Sequence, residues 1–432
     1  MKRAILISIA AGSLLSTLVM AQPSPSYTVT DLGVVGGPPG QPFVVANHGL
    51  ISEGVAVSDT VWHAMLSFHG MQFDLAKAGG LGGPSSTAFG VNEKGQAVGE
   101  AETANSDRNG EDFCGFRSQH VCQPFIWQNG VMAPLPLLKN PNGVTGANGV
   151  AQAINNRGQI VGTSENGEQD STCPSVNHAL GQYQQFRFKP VIWHNGTVQE
   201  LPTVSGDPDG IAFAINDNGQ AVGASGECTA FLINNDLTYL HGLHATLWEN
   251  GTVTDLGNLG GVAGGGGNTA FSINNRGQVV GHMGRADGPA VAYLWSKEAG
   301  IQNLGTLPGD FTSVALSINE NGDIVGISLD AEFNPRAYVR LDGGMLVDLN
   351  SLIPADSPLF LFDACSINSR KEITGIAVDG AGNFHGYLAT PGKAAPDSAA
   401  PPSANDRAQF DSARKLLLQR LSYQFGAQSA AR

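Results

Sequence analysis

Apolar residues in this chain come in short alternating runs, and the runs recur. Phe271 to Gly281 reads FSINNRGQVVG, two apolar runs on either side of Asn-x-x-Gly. That is the pattern of two short strands joined by a tight turn, with glycine taking the positive φ angle. Six further copies begin at Val44, Ala88, Ala151, Ala212, Ala315 and Asp363, and their aligned asparagines are Asn47, Asn92, Asn155, Asn216, Asn274, Asn319 and Asn368. In the first copy the glycine (Gly49) comes one residue early, and in the last Lys371 replaces it. Those two turns are expected to be the least regular.

A second hairpin follows each first one. Its fullest form is HATLWENGTVTDLG, His244 to Gly257, with related segments from His63, Gln123, Lys189, Val291 and Arg336. Asn-Gly between alternating apolar runs is a strong hairpin signal. Each repeat therefore supplies four antiparallel strands, A to D. The seventh repeat has strand C at His385 to Ala389 but meets Pro391 with no strand D, whereas Ser26 to Gly37 (SYTVTDLGVVGG) has the strand D pattern with nothing before it. A ring whose last blade is completed by the first strand explains both ends. The expected fold is all-β: a seven-bladed β-propeller of four-stranded antiparallel blades, with short, protected edges.

Successive asparagines lie 45, 63, 61, 58, 45 and 49 residues apart. The short values match propeller blades, so repeats two to four carry insertions. They fall between strands B and C, at Ala101 to Val121, Thr163 to Lys189 and Ala224 to Gly242. Equivalent loops of adjacent blades project from one face, so the three should form one raised sector.

Outside the repeats, residues 1–21 combine Lys2 and Arg3 with an apolar run and Val-Met-Ala before Gln22. This reads as a secretory signal peptide too short for a stable span, placing the protein in a secreted, periplasmic or extracellular location with no transmembrane span in the mature chain. The propeller is expected over 22–392, an Ala/Pro-rich linker over 393–404, and an amphipathic helix over 405–426, with Phe410, Leu417, Leu421 and Phe425 on one face.

Composition agrees: 57 glycines and only 14% charged residues describe a turn-dense β protein. The formal net charge of -14, which loss of Lys2 and Arg3 takes to -16, argues against nucleic acid as a partner. Of the five cysteines, Cys114, Cys122, Cys173 and Cys228 lie in the insertions and read as two disulfides. Of the three pairings, Cys114 with Cys122 and Cys173 with Cys228 is favoured. The first closes a short loop and the second staples neighbouring blades. Cys365, inside strand A of the last blade, reads as a buried free thiol.

The combination of I-N-x-x-G-Q-V-V-G with His-Ala-x-Leu-Trp-x-Asn-Gly and Asp-Leu-Gly-x-Leu-Gly-Gly (Asp255 to Gly261 is DLGNLGG) resembles the HAF repeat family of extracellular proteins. It covers Tyr27 to Pro391. The resemblance implies secretion and a propeller-like repeat, and it transfers no catalytic residue.

The repeat positions read as structural. Asn216-Asp-Asn-Gly and Asn319-Glu-Asn-Gly-Asp resemble shortened calcium loops, but most copies offer one carboxylate or none, so turn chemistry is expected. His63, His244 and His385 recur where strand C opens; they are too far apart around a ring for one zinc ion and are expected to donate to backbone carbonyls. Trp127, Trp193, Trp248 and Trp295 share one position and should pack blade against blade, leaving Trp62 freer to function. Asp31, Asp74, Glu200, Asp255 and Asp348 near the end of strand D read as edge protection. The run Gly264 to Gly267 precedes a strand, so it lacks the helix N-terminus that phosphate binding uses.

The insertion face is what remains. It should gather Asp112, Arg117, His120, His178, Tyr183, Arg187, Tyr239 and His241, beside connections bearing Asp207, Asp209 and Asp310. Long loops on a rigid scaffold are where binding residues concentrate. The expectation is a binding module for a protein or glycan outside the cytoplasm, needing no cofactor and no metal. The competing expectation is a polysaccharide-active lyase or hydrolase with its site at the propeller axis on the same face.

Overall fold

The computed structural model describes residues 26–34, 44–173, 184–228, 243–259 and 268–392, apart from positions 59, 70, 78, 117, 286 and 287. The expected signal peptide, the linker, the C-terminal helix and the run Gly264 to Gly267 lie outside the described residues.

Seven antiparallel sheets follow one another along the chain. Blade 4 shows the plan: Asp209–Ile215, Ala221–Gly226, His244–Glu249 and Thr252–Asp255 pair in that order, each strand with the next. In blade 7 strand A is split into Leu359–Leu361 and Ser366–Ile367, both paired with Ile373–Asp379, which makes that sheet five-stranded. Its outermost strand is Ser26–Val34, antiparallel to Phe384–Gly392 with Thr28 opposite Thr390 and Val29 opposite Ala389. The ring is thus closed by the first strand, as the sequence predicts.

The repeat motif explains how neighbouring blades lock. Asn274 is 1% exposed and fully satisfied: its Oδ1 accepts from the backbone of Arg276 and Gln278, and its Nδ2 donates to Gln278 Oε1 and to the carbonyl of Asn319 in the next blade at 3.0 Å. The same inter-blade bond runs from Asn92 to Asn155, Asn155 to Asn216, Asn216 to Asn274, and Asn319 to Asn368, and from Asn368 to Ala46. A second circle lies at the next position. Each backbone N–H there is held by the following blade's side chain: Glu93 by Asn156, Asn156 by Asp217, Asp217 by Asn275, Asn275 by Glu320, and Ser369 by Asn47. The carboxylates and amides in these turns are therefore inter-blade clamps as well as turn formers.

This geometry corrects the alignment of the first copy. Ala46, not Asn47, occupies the leading turn position: Gly49 N–H bonds Ala46 O as Gly95 N–H bonds Asn92 O. The glycine is on time, and the asparagine is one place late. Lys371 does take the strained position, at φ 63°.

The glycine closing each apolar run has a different cause. A Cβ on Gly281 would lie 1.9 Å from the carbonyl oxygen of Thr269, and Gly99, Gly162, Gly223 and Gly326 meet strand A carbonyls as closely. Strand A bulges opposite, with register shifts between Ala88 and Gly90, Ala151 and Ala153, Ala212 and Ala214, and Ala270 and Ser272. Phe213 and Phe271 sit at two of these bulges, their rings 5.6 Å apart, in an apolar cluster with Leu316, Val45 and Phe362 that spans five consecutive blades. Outward of this, Trp193 and Trp248 are buried and donate Nε1 to the carbonyls of Pro136 and Pro202 in the connection before their own blade. Trp62 is 4% exposed, so it is core rather than a free functional ring.

Candidate functional site

Antiparallel strands put the A-to-B turns on one face of the ring and the B-to-C loops, with the D-to-A connections, on the other. The insertions of blades 2 to 4 share this second face. The first two start later than the sequence boundaries. Strand B continues through Ala97–Ser106 and Ile160–Gln169, and strand C opens at His120 and Phe186. Both extended strands carry irregular register, between Glu102 and Ser106 and between Glu165 and Gln169.

Two disulfides tie the sector. Cys114, in the blade 2 insertion, is bonded to Cys122 near the start of strand C, and Cys173 to Cys228 across blades 3 and 4, with Cα separations of 5.5 Å and 4.9 Å. Cys365 is buried and outside both disulfides, its thiol 3.2 Å from Asp363 Oδ1. The cysteine expectations thus match the structure.

Of the eight contact residues expected on this face, Arg117, His178, Tyr183, Tyr239 and His241 lie outside the described residues. The other three sit in separate settings. Asp112 is only 4% exposed and its charge acts on buried Glu100, so it is an internal residue rather than a surface contact. His120, partly exposed, points Nδ1 toward Glu102 at 3.9 Å, and Glu102 also accepts from Ser118. Arg187 reaches Glu168 at 3.3 Å with more than a third of its side chain exposed. The adjoining connections contribute Asp207, which accepts from Ser225 and pairs with His244 at 2.9 Å, and Asp310, which pairs with Arg336.

Sequence reasoning missed the buried acids. Asn148, wholly buried, points its amide at Asp107, Glu111 and Glu165 over 3.1 to 3.4 Å, while its Oδ1 accepts from Cys122 N–H. Burial, then the charges of Glu165 and Asp107, push the Glu111 carboxyl up to about 9. Burial likewise raises Glu165, against hydrogen bonds from Gln184 and Asn148. Across the next seam Asp209, buried and hydrogen-bonded to Asp170, is raised to about 9. Burial would raise Asp170 too, but bonds from Asp209 and Thr172 and the charge of Arg187 hold it below the usual range. Glu100 lies 3.6 Å from Cys122 Sγ and is raised well above the carboxylate range by burial and by Glu102 and Asp112. The signal was present in GEAE and TSENGEQD, polar runs where strand B should end. Such runs suggest loop rather than buried strand, because carboxylates are seldom fully buried.

Contrary to the expected donation to backbone carbonyls, the histidines at the opening of strand C pair with acids. His63 meets Asp74 at 2.8 Å and His385 meets Asp31 at 3.0 Å, while Arg336 meets Asp348 and Lys189 meets Glu200 in the same arrangement. Asp31, Asp74, Glu200 and Asp348 are therefore partners of strand C bases, beyond protecting an edge, whereas Asp255 accepts from Gly257 N–H and His244 takes Asp207 instead.

Beside the blade 2 insertion lies a shallow depression of about 720 Å³, bordered by the Gly79 to Gly82 connection, Thr103, Asn105, Gln123 and Met132. Its rim is uncharged, with amide and hydroxyl groups against an apolar wall.

No family model matches the chain, and no curated protein matches its sequence. Solved structures do. A structure from an analysis of two prolyl endopeptidases aligns with a TM-score of 0.50 at 10% identity, covering 88% of this chain and 51% of that one. A Mycobacterium tuberculosis puromycin-hydrolyzing peptidase aligns at 0.46 and 14% identity, over 83% and 53%. An Aleuria aurantia lectin aligns at 0.36 and 10% identity, over 77% and 98%. The chain spans about half the length of the two peptidases, and at these identities the likeness concerns the fold alone. No helix among the described residues is long and apolar enough to cross a membrane.

Proposed function

We propose that this protein is a secreted binding module, akin to the HAF repeat proteins it resembles, whose recognition face is the disulfide-tied sector of blades 2 to 4. The observation that carries the reading is where the two disulfides lie. Both are at the B-to-C end of the three insertion-bearing blades, and covalent ties on long loops keep a surface in one shape before a ligand arrives. Disulfides also fit an oxidising compartment. The depression beside Asn105 and Gln123 and the partly exposed Arg187 supply the polar contacts, and the ligand is a protein or glycan outside the cytoplasm.

The axial enzyme reading has less support. Phe213, Phe271 and Leu316, on strand A of blades 4 to 6, gather in one apolar cluster rather than a polar pocket. The carboxyl pairs in the sector touch one another and are buried, whereas glycoside hydrolysis needs two acids about 5 to 10 Å apart on either side of the bond.

The test is a glycan array probed with labelled mature protein, alongside Asn105→Ala, Arg187→Ala and, on the opposite face, Lys94→Glu. Binding weakened at least tenfold by either of the first two and unchanged by the third is expected. Equal binding by all four proteins would remove the insertion sector from the site.

A further inference from the structure

Both seams of the insertion sector are bridged by two carboxyl groups in contact. Glu111, on the blade 2 insertion, is hydrogen-bonded to Glu165 on strand B of blade 3; Asp170, at the end of that strand, is hydrogen-bonded to Asp209 on strand A of blade 4. The local geometry differs between the two. One oxygen of Glu111 accepts from Gln185 N–H at 2.6 Å and the other from Asn148 Nδ2 at 3.2 Å, an amide that also reaches Glu165 at 3.3 and 3.4 Å, so both glutamates converge on one donor. In the second pair Asp209 Oδ1 accepts from Phe188 N–H at 3.0 Å, while the Oδ2 atoms of Asp170 and Asp209 are buried and no protein donor reaches either one. Two acceptors cannot bond each other without a hydrogen between them, and two adjacent carboxylates out of water cannot both stay ionised.

We propose that each seam is latched by one shared proton, a carboxyl-to-carboxylate hydrogen bond whose loss at alkaline pH loosens the recognition face. The regulatory part rests on the binding reading above; the latch itself does not. The charged groups facing the pairs do not replace the proton. Glu111 and Glu165 face Asp107, a third acid; Asp209 faces Lys189, and Asp170 faces Arg187. Lys189 Nζ is engaged by the carbonyl of Pro208, and Arg187 by Glu168. The O–H···O⁻ bond is strong because one partner is charged. Deprotonation turns it into a buried repulsion.

The sign follows from proton counting. Unfolded carboxyls titrate near 4, while Glu111 and Asp209 hold their protons to about 9 in the fold. Between those limits the folded state binds more protons at Glu111 and Asp209, so their contribution to stability, whole near pH 4, falls as pH rises, by up to tenfold in the folding equilibrium per pH unit per pair.

The experiment is hydrogen exchange on the intact mature protein from pH 6 to 9, corrected for intrinsic rates. It compares wild type with Glu111→Gln plus Asp209→Asn, whose amides donate permanently where the protons sat. Protection over residues 160–169 and 209–226 should fall at least tenfold in wild type and stay level in the variant, while residues 312–340 of blade 6 stay level in both. Flat protection in the wild-type sector overturns the latch even if the variant fails to fold. An equal fall in both proteins overturns it too, as does restoration of wild-type protection at pH 9 by calcium alone, which would make a cation the bridge. None of these readouts needs a ligand, so a failed binding screen leaves the latch standing, and the reverse.

Discussion

At the residue scale, the turn asparagine does the most. Asn274→Ala would take the acceptor from the half-buried N–H groups of Arg276 and Gln278 and leave the carbonyl of Asn319 with Gly322 N–H but no donor from the neighbouring blade, at about 0.5 to 1.5 kcal/mol per lost bond. We expect a loss of about 2 kcal/mol or more in urea unfolding, and a loss under 1 kcal/mol would contradict the clamp. The pattern Asn-x-x-Gly was legible because turn chemistry restricts which residues can stand there. Its second job was not, since a bond to the next blade leaves no trace in the spacing within one copy. The same gap misaligned Asn47: matching letters put asparagine with asparagine, whereas the backbone matches Ala46 to it. The acids of GEAE and TSENGEQD were hidden for a related reason. Their burial depends on a neighbouring blade some 60 residues away in the chain, as the Asn92 to Asn155 separation shows.

At the element scale, alternation and Asn-Gly turns located the strands of every blade, and the insertions were placed in the right gaps. Their boundaries moved because strand B of blades 2 and 3 runs on as a polar strand, and polarity alone reads as loop. The two disulfides should differ in worth. Their sequence separations are 8 and 55 residues, which in the chain-entropy account correspond to about 2.5 and about 4 kcal/mol. Paired Cys→Ser substitutions at Cys173 and Cys228 should therefore lower the thermal midpoint more than those at Cys114 and Cys122. Scanning calorimetry giving the reverse order would show that the sector is held chiefly by something other than the longer tie. The strand C to strand D ion pairs were half legible. Both partners were singled out, but separately, because a register links them rather than a sequence interval.

At the scale of the whole molecule, a shared recognition face exists only if the blades close into a ring. Closure was inferred from an orphan strand at one end and a missing one at the other, and the structure joins them. Deleting Ser26–Val34 should expose the full edge of Phe384–Gly392, a ready template for association, so the truncated protein should aggregate where the whole chain stays monodisperse in light scattering. The most direct measurement is a cross-link between Thr28→Cys and Thr390→Cys, residues facing each other across the closing pair. The ring predicts that the oxidised variant forms this bond nearly quantitatively and within one chain, seen by peptide mass mapping beside the two native disulfides. Two new thiols that remain free, or that join separate molecules, would contradict it.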